Sequence, residues 1–158
     1  MIGTLIAKRK IPAAFEALNR RDVDTFMTGW SADATFIYPG HISVSGEYVG
    51  EAAVRGWFEN LIAQFPELRF TVTSVTIAGL FDMTGTNRVI AEWDIEVTNR
   101  DGYHAENSGV TSITLRRGKA VHVKDYIFDT GEVWLKAWGA WTEDVPAPQQ
   151  SQRTARDS

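Results

Sequence analysis

Apolar residues recur at helical spacing in three stretches of the chain. Ile11, Ala14, Phe15 and Leu18 form one stripe, and Val23, Phe26, Met27 and Trp30 form a second behind Asp22, whose short acceptor side chain suits an N-cap. The third and strongest stripe, Val54, Trp57, Phe58, Leu61, Ile62 and Phe65, opens at Gly50-Glu51 and is stopped by Pro66. An aromatic strand, ATFIYP, lies between the second and third helices. Beyond Pro66 the period changes to two. Leu68, Phe70 and Val72 and then Val75 and Ile77 make a strand whose phase slips at Thr73-Ser74, which predicts a bulge. Gly79 to Asn87 reads as a turn, Arg88 to Thr98 alternates cleanly, and Asn99 to Gly102 (NRDG) is a hairpin turn. His104 to Arg116 and Ala120 to Phe128 follow as strands joined at Arg117-Gly118-Lys119, and Gly131 to Trp141 predicts a short terminal helix. The order is α-α-β-α-β-β-β-β, an α+β arrangement with one antiparallel meander.

The 158 residues, 44% hydrophobic and 11% aromatic, suffice for one substantial core. The pattern assigns residues 1–145 to a single domain and 146–158, which lack large apolar residues, to a disordered tail. A formal charge of −4 without a concentrated basic surface speaks against nucleic acid as a partner. The absence of cysteine excludes disulfides, thiol nucleophiles and thiolate metal sites. No apolar stretch approaches a bilayer span, and the opening MIGTLIAKRKIP reverses the order of a signal peptide, so a cytoplasmic protein without membrane contact is expected.

The pieces ALNRRDVDTF, SADATFIYP, the Gly50-started helix running to FPELRFTV, and RRGKAVHVKDYIFD together resemble the nuclear transport factor 2-like superfamily, in its SnoaL-like and limonene epoxide hydrolase-like branch. The resemblance covers about residues 10–140. It implies a cystatin-like roll: a cone-shaped, curved antiparallel sheet covered by three helices from the N-terminal half, enclosing a pocket. The ketosteroid isomerase residues of that superfamily are not matched, since its positions fall on Ala14, Tyr38 and about Thr111. The limonene hydrolase set falls on Asp94, Glu92 and Asp125, with Phe36 and Tyr38 at its water-holding positions. Asp125 also matches the acid/base aspartate of SnoaL-like cyclases, with Asp129 the alternative in DYIFD.

Strand parity sets Asp125 beside Val121, Val123 and Ile127, where desolvation would raise its carboxyl toward acid/base work. Glu92, Asp94 and Glu96 share the other parity from Val89, Ala91, Trp93, Ile95 and Val97. Periodicity alone makes the apolar face core and the acids solvated. The family reading reverses this, turning the acids into the cone and leaving Trp93, Ile95 and Val97 for a homodimer through the sheet. On the reversed reading Asp125, Asp94 and Glu92 are the expected catalytic set, and Tyr38, Phe36, Trp30, Trp57, Asn107 and Ile127 the expected substrate contacts. His41, His104 and His122 have no ligand spacing, so neither metal nor cofactor is expected. The function so implied is carboxylate acid/base chemistry on a small hydrophobic or polyketide-like molecule, by isomerisation, cyclisation or dehydration. Epoxide hydrolysis and a non-catalytic ligand-binding or dimerisation module are the alternatives.

Overall fold

The computed structural model describes residues 2–78 and 86–139, with side chains from Lys8 onward. Helix α1 (Ile2–Asn19) and α2 (Val23–Met27) are followed by β1 (Trp30–Tyr38) and β2 (Gly46–Val49). Then come α3 (Glu51–Gln64), β3 (Glu67–Ala78), β4 (Asn87–Thr98), β5 (His104–Arg116), β6 (Lys119–Ile127) and α4 (Glu132–Gly139). The six strands make one sheet in the order β2-β1-β6-β5-β4-β3. This is the cystatin-like α+β roll.

Local chemistry explains the element boundaries. The Asp22 side chain accepts from Thr25 N at 2.9 Å and starts α2. Phe65 ends α3 just before Pro66, and the Arg21 guanidinium reaches across to the carbonyls of Ile62, Phe65 and Pro66, satisfying acceptors that the helix end leaves free. The β3–β4 register shifts between Val72 and Ser74, the bulge that the phase slip predicts. Asn99 turns the β4–β5 hairpin, its Oδ1 accepting from Asp101 N and Tyr103 N.

Two features depart from the expected meander. The added strand β2 borders β1, and β1 pairs with β6 in parallel, Phe36 opposite Val123 and Ile37 opposite Lys124. The sheet is therefore antiparallel everywhere except at that seam. The turn expected at 79–87 lies mostly outside the described residues, as do the end of the terminal helix and the tail.

Helix α1 lies against β3, where the Asn19 side chain both donates to Phe70 O (2.9 Å) and accepts from Phe70 N (2.7 Å). Helix α3 packs across β1 through an aromatic cluster: Trp57 lies 4.7 Å from both Phe36 and Tyr38, ring centre to ring centre. Helix α4 folds back onto its own chain. Ala137 O accepts from Gln64 Nε2 at 2.8 Å and Asn99 Nδ2 at 3.1 Å, while Phe65 stacks on Trp134. Of the described residues, no helix is long and apolar enough to cross a membrane.

Candidate active site

The concave side of the sheet and α1 to α4 enclose a cavity of about 370 Å³. Its walls are apolar and aromatic, including Trp30, Phe36, Trp57, Phe70, Trp93 and Trp134. Apolar side chains face it because each strand turns one parity inward. On β4 that parity is Val89, Ala91, Trp93, Ile95 and Val97, all buried.

The acids of β4 point the other way. Glu92, Asp94 and Glu96 are exposed on the convex face, so Asp94 and Glu92 do not join Asp125. Plain alternation holds, and the family-based reversal does not. Filling the interior with Trp93 and Ile95 removes large apolar area from water, whereas turning three carboxylates inward would desolvate like charges without partners. Trp93 is correspondingly buried within the protomer, 4% exposed, and is not a free surface for a second copy.

Asp125 does face inward, from β6 opposite Thr111 of β5. Asp125 is half-buried and lines the cavity. Thr111 Oγ1 donates to Asp125 Oδ1 at 2.6 Å, and Trp93 Nε1 donates to Thr111 Oγ1 at 2.8 Å. An indole N–H can only donate, so Thr111 must accept there and spend its own proton on the carboxylate. Burial raises the Asp125 carboxyl to about 7, with the Thr111 hydrogen bond pulling downward. The group is thus part ionised and part protonated near neutrality.

This chain of hydrogen bonds depends on a glycine. Gly109 pairs with Trp93, whose indole closely approaches it: a Cβ at Gly109 would sit 2.6 Å from Trp93 Cη2 and Cζ2 and 2.8 Å from Tyr126 O. Sequence reasoning did not find Thr111, Trp93 or Gly109 as site residues. The available signal was a glycine inside an alternating strand, which marks a close approach.

The β1–β6 register brings the Tyr38 end of β1 alongside Asp125. Tyr38 Oη accepts from Trp134 Nε1 at 3.0 Å. Since the indole supplies that proton, the phenol keeps its own O–H to donate, and among the described residues nothing accepts it. Burial holds the Tyr38 phenol well above its ordinary value, the Trp134 hydrogen bond opposing this and the Asp125 charge adding to it. Tyr38 therefore stays protonated. Of the remaining expected contacts, Phe36, Trp30, Trp57 and Ile127 line the cavity with it. Asn107 does not. Its amide clamps the chain after β6, donating to Asp129 O at 2.7 Å and accepting from Asp129 N at 3.0 Å, so it is a structural residue. Asp129 is exposed, and of the two aspartates in DYIFD only Asp125 lines the cavity. Among the described residues no three His, Asp or Glu side chains converge as metal ligands would.

An α+β roll closing over one cavity is the fold of the nuclear transport factor 2-like superfamily. Within it the chain belongs to the SnoaL-like domain family, whose model matches residues 11–123. Among solved structures, a nuclear transport factor 2-like protein of unknown function from Burkholderia pseudomallei superposes with a TM-score of 0.67 at 19% identity, covering 77% of this chain and 89% of that one. TerC, co-crystallised with polyporic acid, gives 0.63 at 24% identity, with coverage of 84% and 95%. A protein of ketosteroid isomerase-like fold from Catenulispora acidiphila, in complex with trimethylamine, gives 0.66 at 18% identity, with coverage of 86% and 96%. These likenesses establish the fold. No protein of curated function matches the chain.

Proposed function

We propose that this chain is an acid/base enzyme that moves a proton on a small hydrophobic, cyclic or polyketide-like carbonyl compound. The observation that carries the reading is the Asp125 carboxyl, raised to about 7 inside an apolar cavity and oriented by Thr111. Ionised, Asp125 takes a proton from a carbon next to the substrate carbonyl, and the C–H electron pair becomes the enolate double bond. Tyr38, a protonated donor in the same cavity, hydrogen-bonds the oxygen on which charge develops. Where the enolate is conjugated with a carbon–carbon double bond, protonated Asp125 returns the proton to the far carbon of the dienolate, giving isomerisation. Alternatively the enolate carbon attacks a second carbonyl and the resulting alkoxide takes the proton back from Asp125, giving cyclisation. A carboxyl near 7 suits both directions of transfer at neutral pH. Epoxide opening has less support, because Asp94 and Glu92 lie on the far face of the sheet.

The reading includes a homodimer through the convex face. Glu92, Asp94 and Glu96 on β4 flank β5 on one side, and Lys124 and Tyr126 on β6 flank it on the other. A twofold axis over β5 would set the acids of one copy against Lys124 of its partner.

The test is deuterium exchange next to the carbonyl of 1-tetralone, followed by NMR in buffered D₂O. Wild type should exceed Asp125→Asn by about 10²–10⁴-fold, the range for removal of a general acid/base. Equal rates would overturn the enzyme reading and leave a ligand-binding module.

A further inference from the structure

The two ends of the cavity differ in chemistry. Asp125 and Tyr38 stand at one end, which Trp134 of α4 closes. The other end is set by the β5–β6 hairpin, where Leu115 pairs with Ala120, and by Gly29, whose carbonyl accepts from Ala120 N. Ala120 and Asp125 are five residue steps apart along β6, about 17 Å of extended chain. The N-terminal half of α1 comes to this second end, because Asn19 is fixed at Phe70 and the helix runs back along β3 toward the place where Asn87 pairs with Leu115.

Two cations line the cavity here, Lys10 from α1 and Arg117 from the hairpin turn, both exposed. Among the described lining residues Asp125 is the sole acid, and neither Lys10 nor Arg117 makes an ion pair among the described residues. Arg117 is also in a costly backbone state. It and Gly118 form a hairpin turn with φ values of 52° and 75°, positions that favour Asn and Gly and disfavour a residue carrying a long side chain. A residue that breaks the local rule while lining the cavity mouth is a candidate for function.

We propose that the natural ligand is an elongated aromatic or polycyclic molecule bearing a carboxylate at the end remote from the reacting carbon, with Arg117 and Lys10 gripping that carboxylate at the mouth. This names the substrate class for the proton-transfer site above and rests on that reading. The guanidinium offers a paired fork to a carboxylate, the ammonium a second charge, and the aromatic walls hold the body between the two ends. The grip also fixes direction, presenting the far end of the ligand to Asp125.

The experiment compares ω-(2-naphthyl)alkanoic acids of increasing chain length with their methyl esters, by titration calorimetry at low salt. Wild type should bind the best acid about tenfold more tightly than its ester. That preference should shrink at high salt and disappear in the Lys10→Gln/Arg117→Gln double variant, with ester affinity unchanged. Arg117→Asn should weaken the acid while leaving the melting temperature level or higher, since Asn suits the turn. An ester that binds as tightly as the acid, or an acid preference that survives in the double variant, would overturn the inference and leave the proton-transfer reading standing. Failure of acid and ester alike to bind would overturn both.

Discussion

Replacing Asp125 by Asn should stabilise the protein in alkali and leave it unchanged in acid. The unfolded chain ionises Asp125 at its ordinary 3.8, and the folded protein at about 7. Below pH 3.8 both states are protonated and the group is neutral for stability. Between about pH 4 and 7 the unfolded chain ionises while the folded one does not, so stability falls as pH rises; above about 7 both are ionised and the loss is complete. A tenfold change in acidity is worth about 1.4 kcal/mol, so a fully sealed carboxyl would cost roughly 4 kcal/mol. Asp125 is only half-buried, so about 1–3 kcal/mol is expected. Asn is neutral throughout, has the same shape, and keeps an oxygen to accept from Thr111. Urea unfolding of both proteins from pH 4 to 8.5 gives the difference directly. Subtraction cancels Asp22 and Asp33, whose carboxyls are held low by hydrogen bonds from Thr25 and Ser31 and act in the opposite sense. A difference that is flat with pH, or a wild type that is the more stable at pH 8, would refute the argument.

Thr111→Val removes the donor that pulls the Asp125 carboxyl down, so the inflection in the pH–rate profile should move upward, and the stranded Trp93 N–H should cost about 1–3 kcal/mol in urea unfolding. Gly109→Ala should lower stability by about 1–3 kcal/mol through the clash with Trp93, and with the indole displaced it should lower proton-transfer activity as well. Lys124→Glu, which sets like charge against the β4 acids of a partner, should shift sedimentation from dimer to monomer at micromolar concentration, and a wild-type monomer would remove the sheet-face dimer. Trp93→Glu would not test association, since it would unfold the interior first.

The period of two in β4 places Val89 to Val97 inward and its acids outward, as the structure has them, and the same parity places Asp125 in the cavity. What led away from this for Glu92 and Asp94 was a position-by-position match to limonene hydrolase, in which an offset of one residue is enough to exchange the inward and outward parity of a strand. The partners of Asp125 were not legible. Thr111 reaches it through cross-strand register, and Trp93 reaches Thr111 diagonally across Gly109, relations that exist only once the hairpins are aligned. The Trp134–Tyr38 hydrogen bond spans most of the chain and leaves no local trace. Asn107 has the chemistry of a ligand contact, and its use as a clamp on Asp129 follows from the path of the chain after β6.

The parallel seam between β1 and β6 has a kinetic consequence. It joins positions 36 and 123, so Tyr38 and Asp125 cannot meet until nearly the whole domain has been synthesised. Closing so large a loop late favours slow folding, in the millisecond-to-second range of non-local sheets. Until β6 arrives, the edge of β1 offers unpaired backbone beside an uncovered cluster of Trp30, Phe36 and Trp57. A nascent chain stalled before Lys119 would therefore be prone to aggregate, and the meeting of Tyr38 with Asp125 is among the last steps in the maturation of the molecule.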